Sequence, residues 1–425
     1  MNRNPNILAW LVWTLAALFV VFNYVYQYAP NVIAEDLSKS FGVSAGALGN
    51  IAAAFLYAYA FLQIPVGLIV DRYGTRWPMV MAIAVAGMGA IGFSQTHTAI
   101  SAQLARVVMG AGSAFSFICC LKLVQEWFPP SRFSTLAGMT NTAAMVGAAI
   151  GGGAPMAILV KSTGWRTSTV LIGIAELILA VLVGLMVRDR RSNASEPVAT
   201  KESHRGGAAQ VLKNPFIWIN AVYCTSISLV LIAFGGLWSA SYIKKAYAVN
   251  DIEAAGTGSL LFWGGIAGSL FYGWYSDYLG RRKLPMVQAG IAALVTMTCM
   301  FYLPGLPFIG FKIGLFLVGF FSSANIVSYA VARDLYPNLA GLSIGFLSTC
   351  YYAGSAASQP LVGWLLESRK PAGPDTGLAA LTAGDYRFAF CPLVIFLVVG
   401  LVASLLMKET LTTITDKTPE PVPQN

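Results

Sequence analysis

Two ten-residue segments, 67–76 and 273–282, place charged side chains directly after long apolar runs. Both have glycine, aspartate, glycine and arginine at the same internal positions, and they start 206 residues apart. Aspartate is favoured at a helix N-terminus, glycine permits tight turns and close helix approach, and arginine pairs with carboxylates. The segments therefore predict charged turns that join helices at equivalent places in two halves. Their residues are Gly67, Asp71, Arg72, Gly74, Arg76, Gly273, Asp277, Gly280, Arg281 and Arg282.

The elements that must position these turns are long apolar helices. Hydrophobic residues make up 56% of the chain, charged residues 11%, and the mean hydropathy is +0.66. A soluble domain carries about 25% charged residues. About twelve apolar segments are each long enough to cross a hydrocarbon core of ~30 Å, which predicts an all-α membrane protein. The predicted transmembrane helices are 8–33, 45–70, 77–95, 99–124, 133–160, 168–187, 216–243, 255–276, 284–303, 309–331, 341–366 and 387–407.

A second pair of similar segments supports a duplication. Glu126-Trp-Phe-Pro129 and Asp334-Leu-Tyr-Pro337 are 208 residues apart, close to the offset of the charged turns. A repeat of six helices keeps its orientation, so the halves are expected to be parallel repeats. The predicted parts are an amino-terminal bundle (1–187), a cytoplasmic linker (188–214), a carboxy-terminal bundle (215–408) and a disordered cytoplasmic tail (409–425).

The distribution of basic residues predicts the orientation in the membrane. The first apolar segment is too long for a signal-peptide core and is expected to stay as a helix. With both termini in the cytoplasm, most of the 27 lysines and arginines fall on the inner side, as in bacterial inner-membrane proteins. The net charge of +9 then follows from topology, and no nucleic-acid partner is expected.

The duplicated turns resemble the loop between helices 2 and 3 of the major facilitator superfamily of transporters, repeated between helices 8 and 9. The resemblance implies twelve helices in two six-helix bundles with parallel pseudo-two-fold symmetry. It also implies a latch that favours the outward-open state. Asp71 would then lie against the start of segment eleven, and Asp277 against the start of segment five. The alternative is a pair of charged turns that set topology and have no part in gating.

Arg106 is the one certain cation inside the predicted helices that line the family's cavity. The run from Leu104 to Gly112 resembles the family's segment-four motif, with Met109 where glutamine is common. A guanidinium inside the membrane needs a carboxylate partner or an anionic substrate. A role in substrate binding or coupling, and a role as an interhelical hydrogen-bond hub, both remain open.

Polar and aromatic side chains form stripes on segments one, seven, ten and eleven. On segment one they are spaced i, i+3, i+4 and i+7, within about a third of the helix circumference. In the family these helices border the central cavity, so the resemblance implies a wet substrate pocket. Interhelical hydrogen bonds and interfacial belts are the alternative. The candidate substrate-binding residues are Tyr24, Gln27, Tyr28, Asn31, Asn220, Tyr223, Asn325, Tyr329, Tyr351, Tyr352 and Gln359, together with Arg106.

Three further charged residues could take part in coupling. Lys122 and Glu126 stand one turn apart, which predicts an i, i+4 ion pair or a cation facing an inward-open cavity. Glu176 lies in the middle of segment six and is expected to be protonated or paired. None of the six cysteines has CxxC spacing, so neither disulfides nor a metal or other cofactor is expected.

These features predict a secondary transporter, and no nucleotide-binding or catalytic-triad pattern indicates an enzyme. A cation without an obvious carboxylate favours a small anionic or zwitterionic solute: an organic acid, amino acid, peptide or carboxylate siderophore. Import by proton symport or by uniport is expected, by a functional monomer in the bilayer. Segments one and two loosely resemble organic-anion symporters and lysosomal dipeptide uniporters. A drug or metabolite:proton antiporter is the alternative, although Gly152 replaces a proline of its segment-five motif; a non-transporting receptor is another.

Overall fold

The computed structural model describes residues 7–129, 132–189, 210–336, 339–369 and 378–410, which are almost entirely helical and contain no strand. Most of the linker and the tail predicted from the sequence lie outside these ranges. We number twelve long helices α1 to α12. They are α1 (Ile7–Tyr28, continued as Pro30–Phe41), α2 (Ala45–Tyr73), α3 (Arg76–Ser94), α4 (Ala99–Ser113 and Ser116–Trp127), α5 (Phe133–Gly151 and 154–163), α6 (165–186), α7 (Pro215–Leu229, Val230–Trp238 and Ser239–Tyr247), α8 (Asp251–Leu279), α9 (Lys283–Tyr302), α10 (Phe308–Ser322 and Asn325–Leu335), α11 (Ala340–Ser368) and α12 (Ala383–Ala389 and Cys391–Leu406).

The predicted fold class, with twelve helices, is confirmed. Among the described residues, ten helical runs are long and apolar enough to cross a bilayer. The two predicted segments without such a run of their own are the fifth and the eleventh, whose helices α5 and α11 are rich in small and polar residues and pack against helices of the other half. The separation of α5 from α6 occurs at Gly164, whose φ of 78° interrupts the run Ala154–Met186.

Two helices repeat the same irregularity, which supports the duplication. α4 is interrupted between Ser113 and Ser116, and α10 between Ser322 and Asn325. The second part of each helix starts 209 residues from its counterpart, close to the offset of 206 between the charged turns. The two halves therefore share helix geometry as well as sequence motifs.

Among the described residues, the two bundles are in close contact towards one end of the molecule. We call the end that carries segments 67–76 and 273–282 the loop side, and the opposite end the far side. On the far side, a Cβ on Gly49 of α2 would come within 2.6 Å of the Cα of Pro360 in α11. About five turns further along α2, a Cβ on Gly67 would meet no atom within 4 Å. In the part of the chain that the structure describes, the interface is therefore closed on the far side and open on the loop side.

The glycines of the charged turns behave in two ways. Gly74 and Gly280 have φ of 82° and 58°, so the prediction that they permit a tight turn is confirmed. The prediction that Gly67 and Gly273 allow close helix approach is wrong for this conformation, because neither has a neighbour within Cβ reach. The open loop side explains the difference, since the helices diverge where these glycines lie.

Candidate functional site

Aromatic side chains from both bundles meet part-way along the interface. The Tyr24 hydroxyl of α1 lies 3.3 Å from the Tyr352 hydroxyl of α11. The ring centroid of Tyr59 in α2 lies 4.5 Å from that of Tyr352, and the ring of Tyr28 packs edge-on against Phe262 of α8 at 4.6 Å. The structure thus brings together the stripes predicted on segments one and eleven.

Gln27 of α1 lies on the same helix face and is 2% exposed. Neither its amide nitrogen nor its amide oxygen has a hydrogen-bond partner among the described residues. Leaving such a buried polar group unpaired costs about 1–3 kcal/mol, so it points to a partner that binds there. Gln359 of α11 has one free amide atom as well, because its nitrogen donates to the Ile232 carbonyl while its oxygen has no partner in the described chain.

We call the interface group formed by these side chains the central polar site. Its members contribute hydroxyl and amide groups from both bundles, and all of them are buried. They are Tyr24, Gln27, Tyr28, Tyr351, Tyr352 and Gln359.

Other candidates from the stripes bond inside the second bundle. Asn220 donates to the Ser328 carbonyl at 2.9 Å, and the Tyr223 hydroxyl donates to the Met286 carbonyl at 3.2 Å. Asn325 likewise donates to a serine hydroxyl of α7 at 2.9 Å. The contacts of these residues are therefore hydrogen bonds between helices, which was the alternative to a role in a substrate pocket. The remaining candidate of α10 is Tyr329, which is partly buried against the core.

Arg106 is fully enclosed in the first bundle. Its Nη1 donates to the Tyr26 carbonyl at 2.6 Å and its Nη2 to the Ala52 carbonyl at 3.3 Å, and it lies over the Phe55 ring. No carboxylate of the described residues lies within ion-pair distance. The alternative of an interhelical hydrogen-bond hub describes these contacts of α1, α2 and α4, although the Nε of Arg106 has no partner among the described residues. A role of Arg106 in binding an anionic substrate stays a prediction.

Glu176 of α6 is also fully buried, and neither carboxylate oxygen has a hydrogen-bond partner among the described residues. The Tyr26 hydroxyl is close enough to interact with the Glu176 carboxyl group. A buried carboxylate without a cation partner is cheapest in its protonated form. Tyr26 thus lies between the two charged groups: its carbonyl accepts a hydrogen bond from Arg106, and its side chain is next to Glu176.

The charged turns bond within their own bundles. Asp71 Oδ1 lies 2.7 Å from the Lys122 ammonium, and Asp71 is 65% exposed. The expected ion pair between Lys122 and Glu126 is therefore replaced by one between α4 and the turn after α2. Glu126 instead accepts a hydrogen bond from the Thr75 hydroxyl at 3.3 Å.

In the second bundle, Arg282 is the centre of the turn. It contacts Asp277 at 2.6 Å and the buried Asp334 at 3.1 Å. Burial alone would lower the pKa of Arg282, but the two carboxylates outweigh burial and raise it. The predicted contacts of Asp71 and Asp277 with the starts of segments eleven and five are absent among the described residues, because the loop side is open.

Two carboxylates that the sequence analysis missed cap helices at the loop side. Asp189, after α6, accepts hydrogen bonds from the backbone N–H groups of Thr75 and Arg76 at 2.9 and 2.8 Å. Glu409, after α12, does the same at the start of α9, at 2.7 and 3.1 Å. Carboxylates at helix N-termini are stabilising. The sequence contains a signal for both caps, because each half has an acidic residue within a few positions of the end of its last helix.

Breaking the buried ion pair of Arg282 is expected to destabilise the second bundle. Arg282→Met would leave Asp334, whose side chain is 4% exposed, with only the more exposed Arg333 at 3.4 Å as a cationic partner. Removing one partner of a buried ion pair costs up to about 3–5 kcal/mol. Thermal unfolding in detergent should show a clear fall in Tm. Arg281→Met, which changes the exposed neighbour, is the matched control. Equal Tm values for the two variants would contradict this account of the turn.

Asn31 connects the bundles nearer the far side. Its amide nitrogen donates to the Gly152 carbonyl at 3.1 Å. Its amide oxygen accepts from the Ser239 hydroxyl at 3.1 Å and from the Ala240 N–H at 3.0 Å. Since both amide atoms are already bonded to protein, Asn31 helps to hold the far side closed and lies outside the central polar site.

The sequence family agrees with this architecture. The model of the Major Facilitator Superfamily matches residues 14–358 and 226–424. The chain belongs to this superfamily, as the charged turns suggested, and is a multi-pass membrane protein. The fold is similar to that of a bacterial homologue of the human lysosomal transporter Spinster, with a TM-score of 0.77, 16% identity, and coverage of 99% of this chain and 100% of that one.

Curated relatives are similar over most of their length. The chain is 25% identical over 395 residues to the probable galactarate/D-glucarate transporter GudP of Bacillus subtilis, covering 84% of this chain and 86% of the relative. It is 25% identical over 287 residues to the hexuronate transporter of Bacillus subtilis, covering 66% and 67%. It is also 25% identical over 383 residues to the membrane sensor protein UhpC of Escherichia coli, covering 84% and 83%. Family and fold identify a transporter of small molecules.

Proposed function

We propose that this protein is a secondary transporter that binds a polyhydroxy carboxylate, a sugar acid, at the central polar site and moves it by alternating access. Two of the relatives are named for sugar acids, and the fold neighbour is a transporter homologue. The predicted substrate class of small organic anions is thereby narrowed to one that carries several hydroxyl groups.

The unpaired amide of Gln27 carries this proposal. An amide offers two donors and an acceptor, and tyrosine hydroxyls both donate and accept, so together they suit the hydroxyl groups of a sugar acid. Small-molecule sites typically combine apolar walls with a few convergent polar groups. Gln27 presents such groups at a face that both bundles contribute to, where a solute would contact both during exchange.

The preference for an anion is explained by a nearby charge that does not contact the solute. Arg106 donates to the carbonyl of Tyr26, the residue before Gln27, and no carboxylate of the described residues pairs with it. With Glu176 protonated, the region behind the central polar site keeps a net positive charge. Charges act strongly over short distances in a low-dielectric interior, so this one favours a carboxylate over a neutral or cationic solute.

The observed conformation represents one end of the transport cycle. If the loop side is cytoplasmic, as the basic residues predict, the structure is open to the cytoplasm. Rocking of the bundles would then close the loop side and open the far side. In that opposite state, Asp71 and Asp277 would reach the starts of α11 and α5 and form the predicted latch.

Transport is tested with purified protein in liposomes. We expect saturable uptake of at least one among galactarate, glucarate, glucuronate and galactonate, and none of xylose, a dipeptide or a cationic dye. Uptake confined to the neutral or cationic compounds would contradict the proposed substrate class. Empty liposomes and liposomes with heat-inactivated protein are the controls.

Glu176 is our candidate for a proton-binding residue. An inwardly directed proton gradient should accelerate sugar-acid uptake by the wild type, because protonation precedes inward movement in a symporter. Glu176→Gln, which mimics the protonated form, should keep solute exchange and lose the acceleration. Glu253→Gln, at an exposed carboxylate of α8, should respond like the wild type. Equal acceleration of Glu176→Gln and the wild type would exclude Glu176.

A receptor is the second candidate function, because similarity to UhpC extends over as much of the chain as similarity to GudP. A receptor would bind the solute at the same site without releasing it on the other side. Binding and exchange must therefore be measured separately.

A further inference from the structure

A charged contact between the bundles lies on the far side. The Lys244 ammonium of α7 is 2.9 Å from Glu35, at the end of α1, and 2.7 Å from Asp251 at the start of α8. Glu35 belongs to the first bundle, whereas Lys244 and Asp251 belong to the second. Lys244 therefore has one carboxylate partner that must separate from it when the far side opens, and one that stays.

A cavity of about 350 Å³ adjoins this contact, between the two bundles. Its volume falls in the range of small-molecule sites, about 300–1,000 Å³. Three ammonium and three carboxylate groups line it, those of Lys39, Lys161, Lys244, Glu35, Asp36 and Asp251. The cavity is thus balanced in charge as observed, and moving Glu35 away from Lys244 leaves one positive charge for the carboxylate of a solute.

We propose that this cavity is a second anion site, a loading site in which the carboxylate of an arriving solute replaces Glu35 on Lys244 and thereby releases the far side. The proposal rests on the proposed function for the class of solute. It adds a second binding site, separate from the central polar site. It also explains why binding of a solute opens the far side.

The replacement is favourable because one carboxylate takes the place of another. Opening without a solute would leave Lys244 with Asp251 alone and return Glu35 to water. Both side chains are only about a third exposed, so their attraction is stronger than for a fully solvated pair. A solute carboxylate keeps Lys244 paired throughout, whereas a neutral sugar has no charge to offer.

Glu35 also has a second partner available once it is released. Lys39 follows it by four residues on the helix Pro30–Phe41, the arrangement in which glutamate and lysine form a favourable i, i+4 pair. The remaining far-side bonds of Asn31 to Ser239 and Ala240 would hold the closed state until the carboxylate arrives. Binding of the solute and opening of the far side are thus linked through Lys244.

The test measures the far-side distance between the bundles in nanodiscs. In a variant lacking the six native cysteines, spin labels at His97→Cys and Pro304→Cys mark exposed far-side loops of the two bundles. Glucuronate should lengthen the distance, and its uncharged amide, glucuronamide, should not.

Three variants test the residues of the contact. Glu35→Gln should lengthen the far-side distance without solute. Lys244→Met should raise the glucuronate midpoint at least about ten-fold, whereas Lys312→Met, at a lysine paired with Glu253 inside one bundle, should leave it unchanged.

Two results would overturn the loading site: equal responses to glucuronate and glucuronamide, or an unchanged midpoint in Lys244→Met. The outcome is separable from that of the proposed function. Sugar-acid uptake with an unchanged Lys244→Met midpoint would remove the loading site alone. A charge-dependent distance change without any uptake would remove the transport proposal and keep the site.

Discussion

Gly49→Leu is expected to abolish transport by preventing closure of the far side. A Cβ at this position would come within 2.6 Å of the Pro360 Cα and 2.8 Å of the Gln359 carbonyl oxygen. These are backbone atoms of α11, so no side-chain rotation relieves the clash, and a leucine extends it further. The variant should populate the state open on the far side, and sugar-acid uptake should fall at least about a hundred-fold, since alternating access requires both states.

Gly92→Leu is the matched control for this effect. Gly92 lies in α3, and a Cβ there meets no atom within 4 Å. Uptake by this variant should stay close to that of the wild type. The same labels at His97→Cys and Pro304→Cys should report a longer far-side distance in Gly49→Leu without solute. Near-normal uptake by Gly49→Leu would show that closure of α2 on α11 is not part of the cycle.

Gln27→Leu is expected to weaken sugar-acid binding without weakening the fold. The substitution removes the hydrogen bonds of the amide to solute hydroxyls, and the loss of about 1.5–3 kcal/mol raises Kd roughly ten- to a hundred-fold. Because neither amide atom has a partner among the described residues, leucine removes a desolvation cost there. Tm without solute should therefore be unchanged or higher. Solute-dependent thermal shifts measure both quantities.

Tyr223→Phe provides the contrasting control. Tyr223 is as buried as Gln27, but its hydroxyl donates to the Met286 carbonyl inside the second bundle. Its replacement should lower Tm and leave the Kd for sugar acids close to that of the wild type. If Gln27→Leu instead lost stability and kept its affinity, the amide would be a structural residue and the central polar site would have to be placed elsewhere.

Much of the fold could be predicted from the sequence because it depends on local properties. Long apolar runs specify the helices, and the spacing of the charged turns reveals the repeat. The positive φ of Gly74 and Gly280 follows from their place directly after a helix. The stripe from Tyr24 to Asn31 could also be placed on one helix face, because the angle between successive residues is fixed.

The direction in which a stripe faces could not be predicted, since it depends on how each helix is rotated against its neighbours. Tyr24 and Tyr352 meet across the interface, whereas Tyr223 bonds to α9 inside one bundle. Arg106 illustrates the same limit, because its hydrogen bonds go to backbone carbonyls of other helices. No pattern of side chains in the sequence shows that these carbonyls are available.

The charged turns show a second limit, which is conformation. One sequence serves states open on opposite sides, so residues that meet in one state separate in the other. Gly67 has no neighbour here, and Asp71 pairs with Lys122. The far-side contact between Glu35 and Lys244 joins residues 209 positions apart and has no local motif. Such contacts emerge only when the bundles are placed together.

The most direct test of transport by alternating access is solute counterflow. Liposomes containing the purified protein are loaded with unlabelled sugar acid and diluted into a trace of the same compound in radioactive form, without any ion gradient. A carrier exchanges one for the other, so the label should accumulate transiently inside, and Gly49→Leu should abolish the accumulation. Binding of the sugar acid with no accumulation of label by the wild type would contradict the account and identify a receptor.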